Sequence, residues 1–305
     1  MSPAITPNSK SLLVFILAVG DGDSIIVQLP ETDEYEHMVI DCKRADPTKN
    51  WLSDIEAQKL ALVVATHPHY DHIAGLRSVM KMFPGNIDQF WDSGFRSNLV
   101  TWHNLMQHIS DVETGALFMR PTSGMYTTFN GVDVTVLAPS IYLRNRYDSY
   151  GVNINNASIV LKLDYAGKSI ILAGDAQWDS WGKITEEFPR YVETDNPDQH
   201  IQIDTPYNPL KSDVLKVAHH GSKHGTSLEP IEVLDPKYAI ITCAKVSSYG
   251  FPHKIALMSL EEKADNILDT ASSCNVMIEI EDSGTLNVYK DVIASGKNNF
   301  TGVKC

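Results

Sequence analysis

Short apolar runs separated by polar or glycine-rich turns recur along the chain, and they predict a protein built largely from strands. The run Leu60 to Ala65 is apolar throughout, as a buried strand is, whereas Gly131 to Ala138 alternates with its valines on one face. The predicted strands span residues 11–19, 24–29, 37–40, 60–65, 89–92, 131–138, 155–165, 169–175, 214–218, 238–244, 276–280 and 285–289.

Between these strands, residues 73–83 repeat their apolar side chains at helical spacing and predict a helix. Two stretches, about 86–128 and 178–212, interrupt the strand pattern, and we interpret them as insertions into a single domain of residues 1–305. The second of these predicts a helix followed by a long acidic loop that borders the substrate cleft.

The polar, tyrosine-rich stretch 139–153 predicts a loop, which we place over the candidate site formed by the histidine-rich run at residues 66–72. Arg144 and Arg146 lie in it and are candidates to clamp phosphate, because a guanidinium group matches phosphate oxygens bidentately. A solvated loop is the simpler interpretation. The tail from Ile293 is polar and predicts disorder.

The strongest chemical signal directly follows a buried strand. Residues 66–72 read Thr-His-Pro-His-Tyr-Asp-His, and imidazole nitrogen and carboxylate oxygen are the usual ligands for zinc and comparable ions. His67 and His69 can converge on one ion across a turn stiffened by proline. Asp71 and His72 lie past that turn and can reach a second ion, as in two-metal hydrolases.

Three other strands also end on residues that can bind metal. Asp41 and Asp175 each follow an apolar run, although a strand-terminal Asp alone is equally typical of a turn or cap. The run 214–218 is followed at once by His219 and His220. We choose His219 as the final metal ligand, with His220 as the alternative ligand. If His219 binds metal, His220 can face substrate as a proton donor.

Residues around this histidine pair supply local positive charge. We expect Ser222, Lys223, His224 and His253 to contact substrate, and free backbone amides near Ser222 could hold an anion; simple capping is the alternative role for that serine. The basic residues of the region are Lys216, Lys223, His224, Lys245, His253 and Lys254.

The H-x-H-x-D-H run resembles the signature of the metallo-β-lactamase-fold hydrolases. Six further motifs resemble, in order, the hydrolase domain of ComEC-type competence proteins and their stand-alone relatives, from about residue 12 to 290 with the middle insertions uncovered. The resemblance implies an α/β (α+β) fold, a four-layer αββα sandwich with the metal site along one edge. The motifs are Ala18–Ser24, Val39–Asp41, Asn156–Leu161, Leu172–Ala176, Leu215–Ser222 and Tyr249–His253.

The same resemblance implies roles for the strand-end residues. Asp41 would hydrogen bond to the histidine loop, and Asp175 would bridge two divalent metal ions, zinc or manganese. The implied chemistry is attack by a metal-activated hydroxide, with Asp71 and His220 as catalytic residues.

The chain departs from the family pattern in three respects. The usual Gly-Gln-Gly-Asp is Gly-Asp-Gly-Asp at residues 20–23, and Phe251 stands where that branch commonly has histidine. A histidine that many members place between the two halves is missing, and Asn156, an oxygen donor at best, stands near its place. We therefore expect the His67 and His69 site to bind its metal weakly, as manganese or a labile second zinc. The membrane channel segments of the competence protein are absent from these residues, so DNA uptake is not carried over.

Composition narrows the choice of partner. Of 305 residues, 43% are hydrophobic, and 25 basic against 38 acidic residues give a formal charge of −13. A basic surface for long nucleic acid is therefore absent, which favours short or cyclic nucleotides over DNA. Four scattered cysteines predict reduced thiols, Cys42 being a buried thiol rather than part of the site. The run Leu12 to Val19 is too short to span a bilayer, so we expect a cytoplasmic, soluble protein without a membrane partner.

Three functions remain open at this point. The first is a metal-dependent phosphodiesterase or nuclease. The second keeps the metals but hydrolyses a carboxyl ester, as a lactonase or thioesterase does. The third is a catalytically silent binding module, which the nearly complete set of ligands disfavours.

Overall fold

A computed structural model describes residues 2–30, 36–111, 115–150, 153–190 and 208–305, without the side chains of residues 146–150 and 273. The strands in chain order are β1 (Ala4–Ile5), β2 (Leu12–Ile16), β3 (Ser24–Gln28), β4 (His37–Cys42), β5 (Leu60–Ala65), β6 (Ile87–Asp92), β7 (Leu117–Met119), β8 (Tyr126–Phe129), β9 (Val132–Ala138), β10 (Val160–Tyr165), β11 (Lys168–Leu172), β12 (Val214–Lys216), β13 (Tyr238–Ile241), β14 (Asn266–Asp269), β15 (Val276–Ile280), β16 (Leu286–Ala294) and β17 (Phe300–Lys304). The helices are α1 (Ala45–Asp54), α2 (Tyr70–Ile73), α3 (Leu76–Met80), α4 (Val100–Ser110), α5 (Ile141–Tyr150), α6 (Trp178–Glu187), α7 (Leu228–Leu234), α8 (Lys254–Glu261) and α9 (Thr270–Ser273), with 3-10 turns at Ile154–Ala157 and Ala218–Gly221.

Two mixed sheets pack face to face. The larger has the order β1-β17-β16-β15-β2-β3-β4-β5-β6-β7, and the smaller has the order β14-β13-β12-β11-β10-β9-β8. Strands β4 to β7 are parallel to one another, as are β11 to β14. The carboxyl ends of these two parallel groups carry the histidine and aspartate motifs, and ligands commonly bind at that end of parallel strands.

The core is divided into three apolar layers, which explains why several strands are apolar throughout. Along β2, Leu12 and Val14 face the layer between the sheets, while Leu13 and Phe15 face a second layer beneath helices α1 to α4. A third layer lies between the smaller sheet and helices α6 to α8. This arrangement confirms the predicted four-layer αββα sandwich.

Several boundary predictions were wrong. Residues 86–128 are not an insertion, because they supply β6 and β7 to the larger sheet and β8 to the smaller one. The loop predicted at 139–153 contains helix α5, where Arg144 donates from Nη1 to the carbonyl of Arg120 at 3.2 Å. The tail from Ile293 is not disordered, because β17 pairs with both β16 and β1.

Other predictions fall partly outside the described residues. The helix predicted at the start of 178–212 is α6, whereas residues 191–207 and the side chain of Arg146 lie outside the described part of the chain.

Among the described helices the longest has 11 residues, and none has the length and hydropathy needed to cross a membrane. All four cysteines are free, and burial raises the pKa of Cys42 to about 11.

Candidate metal centre

The histidine loop, residues 66–72, is fixed to the neighbouring strand by Asp41. Thr66 donates its backbone N–H to Asp41 Oδ1 at 2.8 Å and its hydroxyl to Asp41 Oδ2 at 2.6 Å. His72 Nδ1 lies 2.6 Å from the same Oδ2 atom. Asp41 adopts a left-handed backbone, with φ of 58°, a conformation that aspartate tolerates better than most residues. The hydrogen-bonding role implied for Asp41 agrees with this geometry.

The turn before β3 also packs against the histidine loop. The backbone N–H of Asp23 donates to the carbonyl of Asp71 at 3.2 Å. A Cβ atom at Gly22 would lie 2.5 Å from that carbonyl oxygen, so only glycine allows this approach. Asp21 replaces the family's usual glutamine, and its Oδ1 accepts the Ala244 backbone N–H at 2.8 Å. The Gly-Asp-Gly-Asp motif therefore ties both sheets together beside the loop.

From the smaller sheet, the paired-histidine turn, residues 218–221, carries two consecutive left-handed residues. His219 has φ and ψ of 48° and 46°, and His220 has 54° and 27°. This conformation is strained for residues other than glycine and persists only where surrounding contacts enforce it. It directs both imidazoles towards Asp175 instead of alternating them across a strand.

Asp175 lies between the loop and the turn and divides its oxygens between them. Its Oδ2 is 3.7 Å from His67 Nε2 and 3.7 Å from His219 Nε2. Its Oδ1 is 3.2 Å from His72 Nε2 and 3.4 Å from His220 Nε2. The Asp175 backbone N–H donates to Ser158 Oγ at 3.1 Å, which fixes the start of the side chain.

The remaining predicted ligands lie beside these atoms. His69 Nδ1 is 3.0 Å from His67 Nε2, so the two nitrogens are close enough to bind the same ion. Asp71 Oδ2 is 3.8 Å from His220 Nε2. The structure thus brings together all seven histidine and aspartate side chains that the sequence suggests, namely His67, His69, Asp71, His72, Asp175, His219 and His220.

Buried polar atoms without partners show that this cluster fits a cation. Among the described residues, His72 Nε2, His220 Nε2 and Asp175 Oδ1 are buried and have no hydrogen-bond partner, although they face one another. Such orphaned atoms are costly unless a ligand satisfies them. Two groups have ligand atoms within 4.8 Å of one another: His67, His72 and Asp175, and Asp71, His72 and His220. Imidazole and carboxylate are suitable donors for zinc or manganese.

Protonation of the histidines differs across the cluster. Burial, aided by the charge on His72, holds the pKa of His67 well below its ordinary value, and burial also lowers the pKa of His69, His219 and His220. Burial would also lower the pKa of His72, but Asp175 and Asp41 outweigh it and raise that pKa well above the ordinary value. Without a cation, the cluster therefore keeps its proton on His72.

A third group of possible ligands consists of Asp23, Asp41 and His72. Both carboxylates face His72 Nδ1, so they support the His72 ring rather than add ligand atoms to the cluster. Asp23 pairs with the ammonium group of Lys216, which is fully buried. Burial would raise the pKa of Asp23, but the charges of Lys216, His220 and His72 together outweigh it and the pKa is lowered. Lys216 therefore lies inside the protein, and the prediction that it adds charge to the substrate side was wrong.

The predicted supporting and substrate residues are placed as follows. Asn156 Oδ1 accepts the backbone N–H groups of Gln177 and Ser180, both at 3.2 Å, so its oxygen is committed to the start of α6. Ser222 is buried and its hydroxyl accepts the His224 N–H at 3.3 Å, which favours the capping role over substrate contact. Lys223 and His224 are exposed, and His253 is half-buried.

Four contributors were missed by sequence reasoning. Thr66, Ser158 and Thr242 bind the cluster through hydroxyls. Thr66 and Ser158 lie within quoted motifs but were given no role, whereas nothing in the sequence around Thr242 distinguishes it from an ordinary buried residue. Asp23 stood in a quoted motif without a role. A charged residue within the apolar run Val-Leu-Lys-Val-Ala was a usable signal, because a lysine there must have a buried partner.

No protein-family model matches the chain. Together, the two packed sheets and their flanking helices define a metallo-β-lactamase fold, and its His/Asp cluster is a group of side chains that could hold a metal ion. Among solved structures, the metallo-β-lactamase fold protein YhfI from Bacillus subtilis superposes with a TM-score of 0.51 at 12% identity, covering 86% of this chain and 98% of YhfI.

Within this fold the chain is related to ComEC-type competence proteins. It is 33% identical over 136 residues to ComE operon protein 3 of Bacillus subtilis, covering 44% of this chain and 15% of that protein. It is 24% identical over 221 residues to Recombination protein 2 of Haemophilus influenzae, covering 72% of this chain and 22% of that protein. The chain therefore spans less than a quarter of the length of either relative.

Proposed function

We propose that the chain is a metal-dependent phosphodiesterase that takes two divalent cations, zinc or manganese. The proposal rests on the Asp175 carboxylate, whose two oxygens face different histidines. Oδ2 faces His67 and His219, whereas Oδ1 faces His72 and His220. A carboxylate shared between two imidazole groups suits a two-cation site, and two-cation sites hold the attacking and leaving oxygens of a displacement at phosphorus.

In this proposal each histidine of the paired-histidine turn serves a different cation. His219 takes the place of the histidine that the sequence lacks, so both sites have a full donor set and the weak first site is no longer expected. His220 is then a ligand rather than a proton donor. One cation would be held by His67 Nε2, His69 Nδ1, His219 Nε2 and Asp175 Oδ2, and the other by Asp71, His72 Nε2, His220 Nε2 and Asp175 Oδ1.

The protein's own groups would orient the reaction. When bound, the two cations would lower the pKa of a water molecule towards 7 and neutralise charge on the phosphoryl oxygens. Asp71 has a side-chain exposure of 33%, against 2% for Asp175, so it is the carboxylate that solvent and substrate reach. We assign Asp71 the role of holding the proton of the attacking water, in agreement with the catalytic role implied by the sequence.

Donors for the phosphate lie next to the turn. His253 Nδ1 accepts the Lys223 backbone N–H at 3.0 Å, so in the neutral ring the proton resides on Nε2, which can donate to a phosphoryl oxygen. Lys223 and Lys254 are exposed beside it. These three residues support an anionic substrate despite the acidic total charge.

An aromatic surface beside the centre supports a nucleotide. The ring of Phe251 lies 5.4 Å from that of His219 and 6.0 Å from that of His220. Tyr249 stacks on Phe251 at 5.5 Å and is 67% exposed, and base stacking on such rings contributes about 1–3 kcal/mol per base. One relative is named for recombination, which is a process of DNA. These features support a nucleotide substrate, and the net charge of −13 favours a short or cyclic nucleotide over long DNA.

The proposal is tested with bis-p-nitrophenyl phosphate and p-nitrophenyl acetate, after chelation and restoration of Mn²⁺ or Zn²⁺. We expect metal-dependent turnover of the phosphodiester that is lost in the Asp71→Ala, His72→Ala double variant and kept in Asp164→Asn, a change on the solvent side of β10. Turnover of the acetate alone would replace the proposal with carboxyl-ester hydrolysis. No turnover with a full metal complement would favour a binding role.

A further inference from the structure

We propose that a buried relay of three side chains, Lys216, Asp23 and Thr242, orients His220 for metal binding. The relay determines which ring nitrogen carries the proton, and therefore which nitrogen presents its lone pair to the centre. The inference rests on the two-cation site proposed above, but it does not depend on the identity of the substrate.

The relay begins with a lysine inside the protein. Strand β12 places Val214 in the layer between the sheets and Leu215 in the outer layer, so alternation returns Lys216 to the layer between the sheets. Its side chain is fully buried, and its ammonium group donates to Asp23 Oδ2 and, at 3.2 Å, to the carbonyl of Gly174. Because a buried ammonium group requires a counter-charge, Lys216 fixes Asp23 as its carboxylate partner.

The second oxygen of Asp23 determines the direction of the Thr242 hydroxyl. Thr242 directly follows β13 and donates its proton to Asp23 Oδ1 at 2.7 Å. A hydroxyl has one proton, so the Thr242 oxygen can only accept from its other neighbour, His220 Nδ1, at 2.9 Å. The ring therefore carries its proton on Nδ1.

The opposite nitrogen is consequently left with a lone pair. His220 Nε2 is buried and has no hydrogen-bond partner among the described residues, and it faces Asp175 Oδ1 at 3.4 Å and Asp71 Oδ2 at 3.8 Å. Asp23 Oδ1 is 3.7 Å from His220 Nδ1, beyond hydrogen-bond distance, so the carboxylate acts on the ring through the hydroxyl of Thr242.

The same arrangement occurs a second time in the cluster. Thr66 donates its hydroxyl to Asp41 at 2.6 Å, and its oxygen lies 3.2 Å from His67 Nδ1, which leaves His67 Nε2 to face Asp175. The two threonines follow different strands, β5 of the larger sheet and β13 of the smaller one. Their common geometry indicates that the hydroxyl serves to orient the ring rather than simply to fill space.

The first test needs no variant. In the metal-free protein at pH 8, long-range ¹⁵N–¹H correlation of the histidine rings reports which nitrogen is protonated, and we expect the His220 proton on Nδ1. A proton on His220 Nε2 would overturn the proposal whatever the variants do.

The second test compares Thr242→Val, which removes the hydroxyl while keeping the shape, with Thr242→Ser, which keeps the hydroxyl. Zinc titration calorimetry should show one of two sites weakened by about ten- to a hundredfold in the valine variant and restored in the serine variant. Thr48→Val is the matched control, because Thr48 is also buried and hydrogen-bonded but lies in α1.

The outcomes separate this inference from the proposed function. Equal weakening in the valine and serine variants would assign the effect to packing and overturn the relay, as would two unchanged sites in the valine variant. If Thr242→Val does not fold, the ¹⁵N–¹H spectra of the wild-type protein and of Thr242→Ser still show whether the His220 proton is on Nδ1. Failure to hydrolyse a phosphodiester, with these spectra and titrations as expected, would count against the proposed function alone.

Discussion

The histidine loop and the paired-histidine turn reach Asp175 from opposite sheets, and they are held in place differently. In the loop, Thr66 and His72 both bind Asp41, which lies on the adjacent parallel strand of the same sheet. Backbone pairing of β4 with β5 therefore brings that support to the loop within a single sheet.

The carboxylate that supports the paired-histidine turn comes instead from the other sheet. The turn's threonine, Thr242, binds Asp23, which belongs to the other sheet, and the charge of Asp23 is balanced by Lys216 from the turn's own sheet. The loop therefore depends on local strand pairing, whereas the turn depends on an ion pair between the sheets. The two sides should respond differently to substitution.

The largest effect is expected where the two sides meet. Asp175→Asn removes the charge that the loop and the turn share, so both cations should be lost on dialysis and phosphodiester turnover should fall by at least about a thousandfold. Metal content by mass spectrometry and the bis-p-nitrophenyl phosphate assay measure this, with Asp164→Asn as the control. Retention of two cations would show that the sides bind metal independently.

Next in size is the ion pair between the sheets. Lys216→Met leaves Asp23 buried without its partner and should cost about 3–5 kcal/mol in the free energy of unfolding, measured with urea. The Lys216→Met, Asp23→Asn double variant removes both charges and should recover much of that loss. Lys211→Met breaks an exposed pair with Asp235 and should cost less than about 1 kcal/mol. Equal losses in the first and third variants would contradict the account.

Single substitutions in the paired-histidine turn sharpen the comparison further. His219→Ala and His220→Ala should each bind one cation instead of two, because their Nε2 atoms face different oxygens of Asp175. Metal content after dialysis against a trace of zinc measures the stoichiometry. Two cations in His219→Ala would return that residue to a non-ligand role and leave the first site with only the two histidines of the loop.

The smallest expected effect is the release of a proton when a cation binds. The raised pKa of His72, caused by Asp175 and Asp41 against the effect of burial, means that the metal-free loop holds a proton at pH 7, whereas burial keeps His220 neutral. A cation must displace the proton on His72, so binding should release about one proton and affinity should rise with pH. Calorimetry at pH 7 in buffers of different ionisation enthalpy measures the release. It should disappear in His72→Ala and persist in His220→Ala.

The same comparison explains what could be predicted from sequence. The ligands of the loop lie within six consecutive positions after an apolar strand, so their convergence follows from local spacing. The sequence favours His219 over His220 as a ligand, but whether both rings reach Asp175 depends on two left-handed backbone conformations that tertiary contacts impose. In a regular strand, adjacent side chains point to opposite faces, and only one ring would reach Asp175.

Long-range pairing accounts for the other differences. The apolar neighbours of Lys216 indicate a buried lysine, but its partner Asp23 lies 193 positions away and cannot be identified from them. The tail from Ile293 has little apolar content of its own, yet β17 gains backbone partners in β1 and β16. The strands could be predicted because their apolar runs are continuous, and the resemblance of the motifs implied the four-layer fold, whereas partners remote in sequence leave no local pattern.

The division of Asp175 between two cations is tested most directly by crystallography. Crystals of the manganese-loaded protein, measured above the manganese absorption edge, should show two anomalous peaks on opposite sides of the Asp175 carboxylate. One peak should lie within bonding distance of His67 and His219, and the other within bonding distance of His72 and His220. A single peak, or a His219 ring turned away from both peaks, would contradict the account.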